Sequence, residues 1–289
     1  MDGVEQSPLA EEIKSAIFFF LIAIVTSSIA YVKGFYKLEK SEKINFPSSY
    51  ALSVFFIYAI FYIGLGSIIG KFLKGYITKA NSVGISVFFT ISISLVTLLV
   101  LYIFCLKKRK EITFPIIKTF SEGSKSPKYD MVFGILSWLV VFPIVTFFSS
   151  IFSIFIYTVF KVQKVPDQVA IYFLKATMKN PLYFILAMIT IVILAPILEE
   201  FFFRGILQNF FKKFLKRWLA IIFTSLVFAI IHFSYSQRLA NITIVGSIFI
   251  FSLFLGFLYE KQKSLISPIF LHATFNAINV LNLIFIKGV

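Results

Sequence analysis

Eight stretches of this 289-residue chain are predominantly apolar over sixteen residues or more: 16–32, 50–69, 83–106, 131–160, 182–208, 218–233, 242–259 and 265–286. Nothing else in the sequence constrains the fold as strongly. A helix rises about 1.5 Å per residue, so about 20 apolar residues cross the roughly 30 Å hydrocarbon layer of a bilayer. A chain built almost entirely from such runs is expected to be all-α and polytopic. About eight transmembrane helices would enclose whatever site the protein carries. Composition agrees, with 59% hydrophobic residues, 14% charged residues and a mean hydropathy of +0.92. A soluble domain is nearer one quarter charged. The stretches between the apolar runs are too short for a soluble domain, so residues 1–289 are read as one membrane domain.

The net charge of +15 excludes less than it suggests. Lys and Arg fall in short loops, as in the KKRK run at 107–110. The positive-inside rule and anionic lipid account for that pattern. No groove-reading motif accompanies it, so nucleic acid is not an expected partner. The loops after the first, third, fifth and seventh runs are the more basic, which would make them cytoplasmic and both termini external. The single cysteine, Cys105, closes no intrachain disulfide. The first residues, MDGVEQSPLAEEIK, are acidic where a signal peptide begins basic, so the first apolar run is expected to be retained.

Two further features bear on architecture. The 131–160 run is long for one crossing, and Pro143 is expected to kink it or part of it to run beyond the bilayer. VAIYFLKAT, at 169–177, is too short to span and reads as an interfacial amphipathic helix with Lys175 and Lys179 at its polar edge. Gly246 and Gly256 are expected at close helix contacts.

Ionisable groups inside such runs are costly and usually face a protein-lined or watery cavity. The chain has only two histidines, His232 and His272, and both lie in apolar runs. A third run carries Glu199, Glu200 and Arg204. Glu199 lies 13 residues before Lys212, and His232 lies 15 after Arg217. At helical rise these are about 20 and 22 Å from the intervening turn, so the two should sit at similar depth on antiparallel neighbours. Glu200 and Arg204 are four apart and suit an intrahelical ion pair. Glu199, about 100° round the helix from Glu200, would face a different partner. His272 and Asn276, also four apart, share a helix face and can address one atom.

Hydrolysis suits this set. Glu199 could act as general base on a water that His232 orients. His272 and Asn276 could donate to the oxyanion of a tetrahedral intermediate, where one donor is worth about 3 kcal/mol in a dry site. Two histidines and a carboxylate also make a common zinc shell, here Glu199, His232 and His272, although no HExxH motif is present. Residue types alone do not decide between them.

EEFFFRG (199–205), FAIIH (228–232) and HATFN (272–276) resemble, intact and in order, the EExxxR, FxxxH and HxxxN motifs of the CPBP family of intramembrane proteases. That group includes the type II CAAX prenyl endopeptidases and bacteriocin-processing and immunity proteins. The resemblance covers residues 182–283, within the apolar segments at 182–286 read as the catalytic helices. It implies that Glu199 and His232 activate the hydrolytic water, that His272 and Asn276 stabilise the oxyanion, and that Glu200 and Arg204 organise the site. It favours a metal-free glutamate mechanism, with zinc as the alternative cofactor. The expected substrate is a membrane-associated protein or peptide, with no sign that it is prenylated. The expected location is a bacterial cytoplasmic membrane. Two rival classes stand beside the protease: a non-catalytic immunity or scaffold protein, and a transporter or proton relay using the same buried groups.

Overall fold

The computed structural model describes residues 7–40, 47–64, 68, 71–72, 78, 81–106, 113–117, 126–162 and 169–285. The first six residues of the acidic N-terminus and the KKRK run lie outside them, as do several residues of the 50–69 segment and Ile286. The described elements are helical throughout: α1 (Pro8–Val32), α2 (Ser48–Tyr58, continuing as a π turn to Gly64), α3 (Ser82–Leu106), α4 (Phe114–Ile117), α5 (Pro127–Phe160), α6 (Val169–Thr177), α7 (Pro181–Phe211), α8 (Arg217–Ile230), α9 (Ala240–Gln262) and α10 (Ile266–Phe285).

Among the described residues, six helices are long and apolar enough to cross a membrane: α1, α3, α5, α7, α9 and α10. The two other expected spans are helical over shorter lengths, Ser48–Phe61 and Arg217–Ile230. The second ends early because the chain turns at His232 into the polar SYSQR loop.

Three of the long helices share a start signal. Ser7–Pro8, Ser126–Pro127 and Asn180–Pro181 each place a capping oxygen before a proline whose missing N–H costs nothing in the first turn. Asn180 Oδ1 accepts from the N–H groups of both Leu182 and Tyr183. In α3, the hydroxyls of Ser86, Thr90, Ser94 and Thr97 each donate to the carbonyl four residues back. An apolar helix can therefore carry them without orphaned donors.

α5 runs unbroken for 34 residues through a buried Pro143. At about 50 Å it exceeds the hydrocarbon thickness. It packs along α1, α9 and α10. Gly134 permits this: a Cβ there would collide with the Ser267 carbonyl of α10, whose hydroxyl donates to Asp130 O at 2.7 Å. Gly246 admits Phe152 in the same way. α6 does form at the expected place, burying Leu174 against Ala187, Val280 and Leu283. α9 is the most enclosed of the six long helices, with 44% of its apolar window buried against 11% for α1. The outward faces carry Phe18, Leu21, Leu99, Leu139 and Ile185, as a lipid-facing surface would.

Candidate active site

The site is organised by α7, which is not a regular helix. Pro196 cannot donate to the preceding turn and crowds it, and the helix widens to a π turn over Thr190–Leu194. It widens again over Phe201–Gln208. There Asn209 Nδ2 donates to the carbonyls of Arg204 and Gly205 at 3.1 and 2.9 Å.

Glu200 and Arg204 are both fully buried and pair at 2.9 Å. The other end of the guanidinium donates to Ser252 of α9, at 2.6 Å to the hydroxyl and 3.2 Å to the carbonyl. Its face lies 4.5 Å from the ring centre of Phe228 on α8. The expected intrahelical pair is thus present, and it is also a three-helix junction.

His272 connects α10 to this junction. Its Nδ1 lies 2.8 Å from Glu200 Oε1, and its Nε2 lies 4.0 Å from Glu199 Oε2. The two carboxylates therefore flank opposite edges of one imidazole. This departs from the expectation that Glu199 and Glu200 serve different partners. Glu200, already held by Arg204, makes the direct hydrogen bond. Glu199 stands beyond hydrogen-bond distance, with 12% of its side chain exposed. The rings of Phe228 and Phe251 pack edge-on against His272 at 6.0 and 5.4 Å.

His232 lies in the turn just past the end of α8. Its Nδ1 is 2.7 Å from Phe228 O. A carbonyl only accepts, so that nitrogen carries the proton, and in the neutral ring Nε2 is the acceptor. The imidazole packs on Phe228 at 4.9 Å, so both histidines border one phenyl ring. This hydrogen bond ties His232 to its own helix end.

Asn276 lies one turn beyond His272 on α10. Its Nδ2 donates to Ile191 O at 2.9 Å, a carbonyl within the first π turn of α7. A side-chain amide has two N–H bonds, so one remains for another acceptor. Among the described residues, no three His, Cys, Asp or Glu side chains are arranged to hold a metal ion. Glu199, His232 and His272 are thus not gathered into a ligand shell in this side-chain arrangement.

Ser252, Phe251 and the Ile191 carbonyl did not stand out in the sequence. A serine in an apolar helix has no distinguishing pattern, and a backbone carbonyl has no side-chain signature of its own. The signal for Ile191 was available in Pro196, which disrupts the preceding turn.

Residues 181–278 match the family model described as type II CAAX prenyl endopeptidase Rce1-like. An Escherichia coli protein described as "Uncharacterized 24.3 kDa protein" is 34% identical over 90 residues, which is 30% of this chain and 40% of that protein. The chain therefore aligns with less than half the length of that relative. No solved structure matches. The matched segment contains all three motifs and runs from the first residue of α7 into α10. Over residues 181–278, the chain is similar to the type II CAAX prenyl endopeptidase Rce1-like family.

Proposed function

We propose that the protein is an intramembrane endopeptidase that hydrolyses a peptide bond in a membrane-associated protein or peptide. The observation that carries this reading is the His272 imidazole between two carboxylates, one locked by Arg204 and one not. Glu200 has Oε1 engaged by both Arg204 and His272, which suits an organising role. Glu199 lacks such a lock, which suits a general base.

In the proposed reaction Glu199 removes one proton from water while His232 Nε2 accepts a hydrogen bond from the O–H that remains and orients it. The water oxygen bonds to the scissile carbonyl carbon, and the carbonyl oxygen becomes an oxyanion. His272 Nε2–H and the second Asn276 N–H donate to that oxygen. The Nδ1 of the same ring, 2.8 Å from Glu200 Oε1, fixes its orientation. Collapse breaks the C–N bond, and Glu199 delivers its proton to the leaving amine. Base catalysis of this kind contributes about 10²–10⁴-fold. α2 and α8 complete an eight-helix bundle round a cavity that admits both peptide and water, in a bacterial cytoplasmic membrane.

The test is cleavage of a membrane-anchored peptide library by purified protein in liposomes, read by mass spectrometry, before and after chelation and zinc readdition. Cleavage that survives chelation supports the glutamate mechanism. Loss on chelation with recovery on zinc transfers Glu199, His232 and His272 to a ligand role. Absence of any cleavage turns the reading toward a non-catalytic immunity or scaffold protein.

A further inference from the structure

A second buried polar group adjoins the site, and the reaction above makes no use of it. Glu200, Arg204 and Gln208 on α7, and Lys212 just past its end, recur every fourth position. On α9 they meet Ser252, Gly256 and Glu260. Arg204 donates to Ser252, Gln208 Nε2 to Gly256 O at 3.2 Å, and Lys212 Nζ to Glu260 Oε1 at 2.8 Å, each across 48 residues of sequence. Gln208 Nε2 also reaches Glu260 Oε1 at 3.0 Å. Two parallel helices thus hold one register through three successive contacts.

That constancy has a local cause. In a regular helix of 3.6 residues per turn, each four-residue step drifts about 40°. The wider π winding of Phe201–Gln208 offsets the drift, so one edge of α7 keeps facing α9. At the far end, Lys212 and Glu260 expose 7% and 4% of their side chains. Lysine is almost never buried so deeply unless paired. Gly256 admits the contact: a Cβ there would come within 2.8 Å of Gln208 Oε1.

We propose that Glu260, with Lys212 and Gln208, positions Arg204 against Ser252 and through it sets the Glu200–His272 pair. These are positioning residues, since none touches the reacting atoms. Loss of the Lys212–Glu260 charge pair lets α7 and α9 slip in register. Ser252 then no longer meets the guanidinium, and Glu200 Oε1 no longer holds His272 Nδ1. The turnover arm of the test rests on the protease reading; the spectroscopic arm does not.

The chain contains only two histidines, so ¹⁵N-histidine labelling yields two imidazole spin systems, assigned with His232→Ala. The proposal expects Glu260→Gln and Lys212→Met each to move the His272 ring-nitrogen signals, while those of His232 stay in place. Lys216→Met, at an exposed position, moves neither. Lys212→Arg, which keeps the charge, restores the His272 signals. On a cleaved peptide, Glu260→Gln lowers kcat at least tenfold with KM within twofold. In Ser252→Ala/Glu260→Gln, kcat falls no further than in the more damaging single variant. If Glu260→Gln does not fold, Glu260→Asp keeps the charge but shortens the reach, and carries the same comparison. His272 signals unmoved in folded variants, or additive effects in the double variant, overturn the proposal and leave the Lys212–Glu260 pair a clamp on stability alone. A wild type that cleaves nothing defeats the protease reading, and the imidazole signals still decide this one.

Discussion

Arg204→Met tests the central junction with least change of volume. The guanidinium is wholly buried, donates to Glu200 at 2.9 Å and to both oxygens of Ser252, and lies over Phe228. Methionine fills much of the space and supplies none of the donors. Glu200 then keeps His272 as a charged-group partner but loses its fixed cation, and two Ser252 acceptors lose their donor. Breaking a buried pair on one side costs about 3–5 kcal/mol, mostly through the uncompensated charge left behind. Glu200→Gln in the same background removes that charge, so the double variant should be about 1–3 kcal/mol more stable than Arg204→Met alone. Thermal and SDS-induced unfolding of detergent-solubilised protein measure both differences. Activity should be lost in the single and the double variant alike, because the carboxylate that holds His272 is displaced in one and neutralised in the other. An Arg204→Met protein within about 0.5 kcal/mol of wild type, or a double variant less stable than the single, refutes the reasoning, since surface-like substitutions fall in that range.

Three further outcomes follow from the geometry. His232→Ala should abolish cleavage with little loss of stability, since the ring is only half-buried and its hydrogen bond is to Phe228 O of its own helix; near-normal kcat removes it from the mechanism. Asn276→Ala should lower kcat about 10²–10³-fold through loss of an oxyanion donor, while loss of the Ile191 bond costs about 1 kcal/mol of stability; a fall in activity that only tracks the folded fraction assigns it a structural role. Gly134→Ala should destabilise by about 1–3 kcal/mol, because the added methyl overlaps the Ser267 backbone of α10 and lies 3.1 Å from Phe270 Cβ; an unchanged melting temperature contradicts the close α5–α10 packing.

The helical architecture was legible because lipid imposes it. A run of about 20 apolar residues leaves the backbone little choice, and each of the eight runs contains helix in the structure. Lengths were less legible. Trp218 to Phe233 reads as one apolar run, yet the helix stops at Ile230, and hydropathy does not register the turn that carries His232. The Glu200–Arg204 pair followed from four-residue spacing. The Glu200–His272 bond did not, because it joins helices 72 residues apart in sequence. A regular-helix projection also separated Glu199 from Glu200 by about 100°. Glu199 lies within 4.0 Å of one nitrogen of His272 and Glu200 within 2.8 Å of the other, so one ring reaches both despite that separation. The repeat Glu200, Arg204, Gln208, Lys212 was in plain view. Its meaning depended on which residues of α9 lay opposite, and a single sequence does not contain that information.

The most direct measurement compares wild type and Glu199→Gln on one membrane-anchored peptide, with binding and turnover measured in the same liposomes. Glutamine keeps the size of the side chain and removes its capacity to take a proton. If Glu199 is the general base, peptide affinity stays within about twofold while turnover falls about 10²–10⁴-fold. Cleavage by Glu199→Gln at a rate near that of wild type contradicts the account.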